Sequence, residues 1–298
     1  MNQYRYTLEP YKGMKTRYTC PNCGKKKVFS RYIDIETQQH LEHHVGRCSR
    51  EVKCGYHYTP KQFFQDSPLD KPKPIQLVPP APPLPVSYIG PSVFRASLKH
   101  YEANHLVRFL LNHFGDVITH ELIRKYLIGT SKHWSGATVF WQIDQQAHIR
   151  TGKIMLYNPT TGKRVKEPYK HINWVHKVMK IPDFNLQQCF FGEHLLKTTN
   201  KPIAIVESEK TAIIASVYLP EFTWLAAGSL SSLTAEKCRV LKGRKVILWP
   251  DLNAFDKWQT RAELLGMKDA MVVSDFLEKQ ASEADRQKGF DLADYLLR

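Results

Sequence analysis

Four of the six cysteines cluster near the start of the chain, at Cys20, Cys23, Cys48 and Cys54. In CPNCGKKKVF two residues separate the thiols, which lets both sulfurs reach one tetrahedral ion. Gly24, just after the pair, accepts the left-handed turn that aims backbone N–H groups at thiolates. CSREVKCGYH repeats the Cys-Gly ending with a looser spacing of five residues. The chemistry this predicts is ligation of Zn2+ by Cys20, Cys23, Cys48 and Cys54, with His43, His44 and His57 near enough to replace one thiol. Lys25, Lys26, Lys27, Arg31, Arg47, Arg50 and Lys53, interleaved with Phe29, Tyr32, Tyr56 and Tyr58, give such a module a second use in binding single strands.

The other chemical set is acidic and lies near the opposite end. Apolar runs stop at carboxylates in IVESEK and ILWPDLN, and a later turn reads KGFDLADYL. Ligands of open α/β sheets bind beyond the carboxyl ends of strands, so Glu207, Asp251 and Asp291 are expected to converge on one crevice. Crowded carboxylates repel one another unless a cation lies between them, and an all-oxygen set suits Mg2+ or Mn2+.

The elements that must position these groups can be read from period and punctuation. From Lys201 onward PIAIVES, FTWLAAG, RKVILWPD and AMVVSDF are short apolar strands without polar alternation, as strands covered on both faces require. EKTAIIASVYL, LTAEKCRVL and DKWQTRAELLG lie between them with helical periodicity, which predicts a parallel, doubly covered sheet. Upstream, the period predicts one helix over residues 94–114, stopped by Gly115, and a shorter one over THELIRKYLIG. ATVFWQID, HIRTGKIMLYNP and INWVHKVMK then read as antiparallel strands, with NPTTGKR as turn chemistry. Trp134, Trp141, Trp174 and Trp249 are expected in cores, His133 and His176 as ordinary hydrogen-bonded histidines, and Cys189 and Cys238 as small buried residues.

Residues 1–66 are too few to fold on an apolar core alone, so metal binding is expected to supply folding free energy there. Nine of the eighteen prolines fall between Ser67 and Pro91, a density that favours extended polyproline II and predicts a semi-rigid linker over 67–92. The remainder divides into an α+β region, 93–198, and the parallel-sheet domain, 199–298. Lys and Arg number 43 against 28 Asp and Glu, a formal charge of +15 that points to a polyanionic partner. No stretch approaches the ~20 apolar residues of a membrane span and the start is polar, so no membrane partner and a cytoplasmic setting with reduced thiols are expected.

IVESEKTAIIAS followed by VILWPDLNAFDKW resembles the Toprim domain shared by bacterial-type primases, type IA topoisomerases and small nucleases. Glu207 falls on the family's Glu and Asp251 on the first residue of its Asp-x-Asp, while Gly228 matches a glycine after the second strand. Asn253 stands at the second Asp position, and Thr211 where many primases carry another Asp. The amide oxygen of Asn253 still suits Mg2+ without adding charge, and Glu209 and Asp256 are near enough to compensate. A zinc ribbon, a tether, a mixed region and a Toprim-like sheet in this order resemble bacterial and phage primases and related proteins of mobile elements. ATVFWQID, RTGKIMLYNPTTGKR and CFFGEHLL are similar to the primase core.

The fold class this implies is α/β: a Toprim-like parallel sheet domain preceded by an α+β primase-core subdomain and a small zinc-ribbon module. The activity implied is Mg-dependent synthesis of short RNA primers on single-stranded DNA from nucleoside triphosphates, with a replicative helicase as a candidate partner. Glu207, Asp251, Asn253, Asp291 and Glu209 would form the catalytic set, the first four holding magnesium. Arg150, Lys153, Lys163 and Arg164 would line the groove for template or nucleotide phosphates. A Toprim nuclease and a non-catalytic single-strand or origin-binding factor are the alternatives.

Overall fold

The computed structural model describes residues 4–67, 84–267 and 270–298, and the chain forms two compact units, Met1–Leu84 and Pro85–Arg298. Most of the proline-rich linker expected over 67–92 lies outside the described residues. Its last part is bonded into the second unit, where Ser87 N donates to Asn185 O at 3.1 Å and buried Ile89 donates to Ile149 O at 2.8 Å.

In the first unit β1 (Tyr6–Leu8), β2 (Phe29–Asp34), β3 (Gly46–Cys48) and β4 (His57–Tyr58) form an antiparallel sheet in chain order. Its core is Cys20, Phe29 and Cys48, with Tyr18, Val28 and Tyr56 packed around them. Gly46 is required by close approach: a Cβ there would lie 2.2 Å from Ser30 O and 2.5 Å from the Phe29 ring. Thr59 and Gln62 form a capping box that starts the helix Pro60–Asp66.

The second unit places an antiparallel sheet beside a parallel one. β5 (Gly129–Ser131), β6 (Ala137–Ile143), β7 (Ile149–Met155) and β8 (Ile172–Trp174) pair in chain order. Alternation sends Phe140 and Met155 into the core shared with the parallel sheet, while Val139, Trp141 and Ile154 face a second core under the helix Pro91–Ser97. β9 (Ile203–Val206), β10 (Thr223–Ala226), β11 (Val246–Leu248) and β12 (Met271–Val273) are parallel throughout, in the order β10-β9-β11-β12. Segments outside the parallel sheet are tied to it: Phe191 exchanges backbone hydrogen bonds with Ala226 at the β10 edge, and the buried Tyr126 hydroxyl donates to Ala212 O and Trp224 O. No helix of the described residues is long and apolar enough to cross a membrane.

The four expected parallel strands form where the apolar runs lie. The helix expected over 94–114 does not form in one piece. It ends at Ser97, His100 takes a left-handed φ of 58°, and a new helix, His105–Tyr126, begins behind Asn104 with a break at Gly115. Asn104 causes this, because a side-chain cap competes with continued helix. INWVHKVMK is likewise a strand only to Trp174, where the helix Val175–Val178 begins. Of the tryptophans expected in cores, Trp141 is buried, whereas Trp134, Trp174 and Trp249 are partly buried. Cys189 and Cys238 are buried as expected.

Asn104 is fully buried: Oδ1 accepts from Leu106 N, Val107 N and Thr138 Oγ1, and Nδ2 donates to Gly129 O. Asn104→Ala is therefore expected to lower stability by roughly 2–3 kcal/mol, combining a lost cap with stranded buried partners. Chemical denaturation measures it, and a change below about 0.5 kcal/mol would contradict the account.

Candidate metal and acidic sites

The two turns of the first unit bring four thiols together. Cys20, Cys23, Cys48 and Cys54 have sulfurs that all lie within 4.8 Å of one another, and Cys20 Sγ is 3.8 Å from Cys54 Sγ. A tetrahedral zinc with bonds of about 2.3 Å sets its sulfurs about 3.8 Å apart, so the donors fit the ion in number, type and spacing. The Lys25 backbone, foremost, lowers the Cys23 thiol to about 6, and the Asn22 amide lowers Cys54, while burial lifts Cys48 to about 12. The histidines are used otherwise: His57 Nε2 lies 2.9 Å from the Tyr32 hydroxyl, and His43 and His44 group with Glu42. Phe29 is buried in the core and unavailable for stacking on bases, a correction that follows from its place between two ligand cysteines.

The acidic set comes from three elements of the parallel-sheet region. Glu207 follows β9, Asp251 follows β11 by way of Trp249 and Pro250, and Asp291 caps the helix Leu292–Leu296. Asp251 lies within electrostatic reach of the others. Burial pushes its carboxyl well above the usual range, repulsion from Glu207, Asp291 and Asp294 pushes it further, and Lys210 opposes them. Sequence reasoning passed over Lys210, whose signal was a lysine three residues after Glu207 at a helix start. Asp291 Oδ1 accepts from Asp294 N and Oδ2 from Thr211 Oγ1, each near 2.9 Å. Among the described residues these carboxylates do not form a group with all ligand atoms within 4.8 Å of one another.

Asn253 adopts a left-handed φ of 65°, accepts nothing from Glu278 but donates its N–H to that side chain, and donates Nδ2 to Arg286 O. Asp256 is exposed in the first turn of the helix Phe255–Leu264, and Asp294 completes a capping box with Asp291, both ordinary stations for acids at a helix start. Glu209 is buried and takes Lys153 Nζ on both oxygens, at 3.0 and 3.1 Å.

The basic residues separate. Arg150 is half-buried, with Nε on Asp144 at 2.7 Å and Nη1 on Gln187 at 2.7 Å. Lys153 is enclosed with Glu209, whereas Lys163 is exposed on the turn after β7. Arg164 is partly buried opposite Tyr157, with its Nε buried and unbonded. Burial raises the Tyr157 hydroxyl well above its ordinary range, Glu209 and Asp291 raise it further and Arg164 opposes them. Lys237, missed by sequence reasoning, is a buried ammonium donating to Ala227 O at 2.9 Å, and burial lowers it to about 8. Nothing in AEKC marks it, because its surroundings come from distant segments.

The thiol cluster predicts one zinc per chain. Chelation is expected to unfold the first unit, since metal binding on the order of 10 kcal/mol doubles as folding free energy there. Cys48→Ser should lose the metal while leaving the unfolding of the second unit in place. Zinc content by plasma emission, read beside circular dichroism, checks this, and full zinc content in Cys48→Ser would refute it.

Residues 4–69 match the family model of a zinc beta-ribbon finger, in agreement with the four-thiol geometry. No curated protein matches the sequence. Among solved structures the chain is similar to the primase fragment of the bacteriophage T7 primase-helicase protein, at 16% identity over 87% of this chain and 88% of that one, with a TM-score of 0.39. It is also similar to the zinc-binding and RNA polymerase domains of the Aquifex aeolicus primase, at 14% identity, 97% and 82% coverage and a TM-score of 0.37. A DNA primase domain from Pseudomonas aeruginosa matches at 14% identity, 63% and 64% coverage and a TM-score of 0.35. Residues 104–252, which span the helix His105–Tyr126, the antiparallel sheet and the parallel sheet as far as Asp251, match the model described as Domain of unknown function (DUF6371). That match takes in half of the 298 residues, and the chain belongs to the DUF6371 family.

Proposed function

We propose that this chain is a primase-like nucleotidyltransferase, with a Toprim-like site at the carboxyl edge of its parallel sheet. The observation that supports the reading is the placement of Glu207 and Asp251 just beyond the carboxyl ends of the neighbouring parallel strands β9 and β11, with Asp291 at a helix cap and within electrostatic reach of Asp251. Such a set is costly without a cation and suits a hard divalent one, because every donor is an oxygen and most are anionic. Bound there, Mg2+ or Mn2+ would lower the pKa of an attacking hydroxyl and neutralise a leaving pyrophosphate. Glu207, Asp251 and Asp291 are the ligands on this reading, and the exposed Lys163 and neighbouring Arg164 would orient the triphosphate. Arg150 supports the scaffold through Asp144. The zinc ribbon and the charge of +15 favour single-stranded DNA as template and ribonucleoside triphosphates as substrates. The domain limits proposed are a ribbon over 1–66, a linker over 67–92, a primase-core-like region over 93–198 and the Toprim-like domain over 199–298.

A second reading, single-strand binding without catalysis, is favoured by one observation: Asn253, at the second Asp position of the Toprim pattern, directs its amide to Arg286 O.

Full-length protein incubated with single-stranded DNA, ribonucleoside triphosphates and Mg2+ or Mn2+ is expected to release short labelled RNA. Glu207→Gln and Asp251→Asn should each lower the yield by roughly 100-fold. Cut DNA would instead support a nuclease, binding without product would support the second reading, and undiminished synthesis by both variants would sink the mechanism.

The raised Asp251 carboxyl also has a sign. The fold holds that proton more tightly than the unfolded chain does, so stability falls as pH rises from the ordinary carboxylate range through the folded value. In cation-free buffer at pH 7 Asp251→Asn is therefore expected to be more stable than wild type by about 1 kcal/mol or more. Thermal melts with and without Mn2+ measure this, and a less stable cation-free variant would contradict it.

A further inference from the structure

Lys153 and Glu209 lie 56 positions apart, in different sheets' territories, yet form a buried ion pair with both carboxylate oxygens within 3.1 Å of one ammonium. A buried pair is poor value as a source of stability, since desolvation offsets the attraction and packed apolar residues serve as well. Its location offers a better account. Lys153 sits inside β7, in register with Phe140 on one side and Trp174 on the other. Glu209 opens the helix Glu209–Tyr218, and only Ser208 separates it from Glu207. Holding the Glu209 carboxylate therefore holds the strand-to-helix turn from which Glu207 projects.

The other side of that turn is held as well. Glu207 O accepts from Gly228 N at 2.9 Å, and the neighbouring carbonyl, Ala227 O, takes the buried Lys237 ammonium. Gly228, at φ +89°, passes close to the pair: a Cβ there would lie 3.9 Å from Glu209 Oε1. Lys153 satisfies the charge of Glu209 inside the protein. That removes Glu209 from the carboxylates competing for a cation.

We propose that Lys153 and Glu209 are a positioning pair that fixes the Glu207 turn, and that neither is a ligand to cation or phosphate. The inference rests on the reading of Glu207 as a cation ligand, so its test has one readout with metal and one without. The full chain is compared with Lys153→Met/Glu209→Gln, which removes both charges together and leaves neither stranded, and with the conservative Lys153→Arg. Without metal, hydrogen exchange at the Gly228 amide is expected to be about tenfold faster in the neutral-pair variant and close to wild type in Lys153→Arg. Mn2+ binding, followed by electron paramagnetic resonance, is expected to weaken by about tenfold in the neutral-pair variant, as loss of a residue supporting a ligand typically does.

Unchanged exchange at Gly228 in a folded neutral-pair variant overturns the proposal, whatever the metal result. Loss of Mn2+ binding in Glu209→Gln with retention in Lys153→Met overturns it too, by making Glu209 a ligand. Wild-type protein that takes up no Mn2+ refutes the cation reading of the crevice, and the exchange result still decides whether the pair holds the turn.

Discussion

The parallel pairing of β9 with β11 sets Glu207 and Asp251 at the same end of neighbouring strands, where burial first and then repulsion from Glu207, Asp291 and Asp294 raise the Asp251 carboxyl. Parallel strands end their backbones at one rim, and the turns leaving that rim carry Glu207 and Asp251 toward the helix cap at Asp291. Folding gathers these groups without asking whether they repel. Something must then compensate, and the internal resources are modest: Lys210 opposes the charge on Asp251, and Thr211 donates to Asp291. On the proposed reading a divalent cation would relieve the remaining imbalance, because a charge of +2 among oxygen donors offsets several repulsions at once.

Placement of that rim depends on the neighbouring sheet. Phe140 and Met155 from the antiparallel sheet share a core with Ala204, Val206, Trp224 and Ala226 from the parallel one, so the two sheets pack as one body. Apolar packing of this kind tolerates small shifts, since dispersion contacts have little direction. Directional bonds remove that freedom. Tyr126 reaches two carbonyls of the parallel-sheet region, Phe191 pairs with Ala226, and Lys153 crosses to Glu209. The first unit solves a different problem. The cluster around its thiols holds Cys20, Phe29 and Cys48, two of them cysteines, so metal–sulfur bonds would supply what a larger apolar core gives a larger domain.

What could be read in the sequence was what depends on near neighbours. The grouping of the four thiols follows from one short and one looser cysteine spacing, each ending in Cys-Gly, and the parallel strands from unbroken apolar runs such as IAIV and VIL. The acids at strand ends were legible for the same reason, since the strand end and the acid are adjacent in sequence. Lys153 was not: as a lysine in a strand beside a basic turn it reads as part of an open groove. Only the tertiary fold shows a carboxylate 56 positions away closing over it. Lys237 and Lys210 escaped notice because burial of a lysine has no local signature. The single helix expected over 94–114 failed at Asn104, whose periodic apolar surroundings masked a cap that also serves Gly129 and Thr138.

The two departures from the Toprim pattern can be weighed in the same electrostatic terms. An acid at position 211 would add a like charge beside Asp291, where Thr211 now supplies a hydrogen-bond donor. An acid at 253 would add charge near Glu278, which the Asn253 backbone N–H now contacts at 2.7 Å. Both neutral residues thus lower the repulsion that the cation-free fold must carry, and both lower the charge available to hold a cation. Stability of the empty crevice and affinity for the ion pull against each other through the same Coulomb energy. On the proposed reading, a chain with two fewer acids would be biased toward a robust cation-free state and weaker ion binding. On the proposed reading, an anionic ligand bearing its own cation, as a nucleoside triphosphate does, would meet both conditions at once: its metal would satisfy the carboxylates and its phosphates would be met by Arg164 and Lys163.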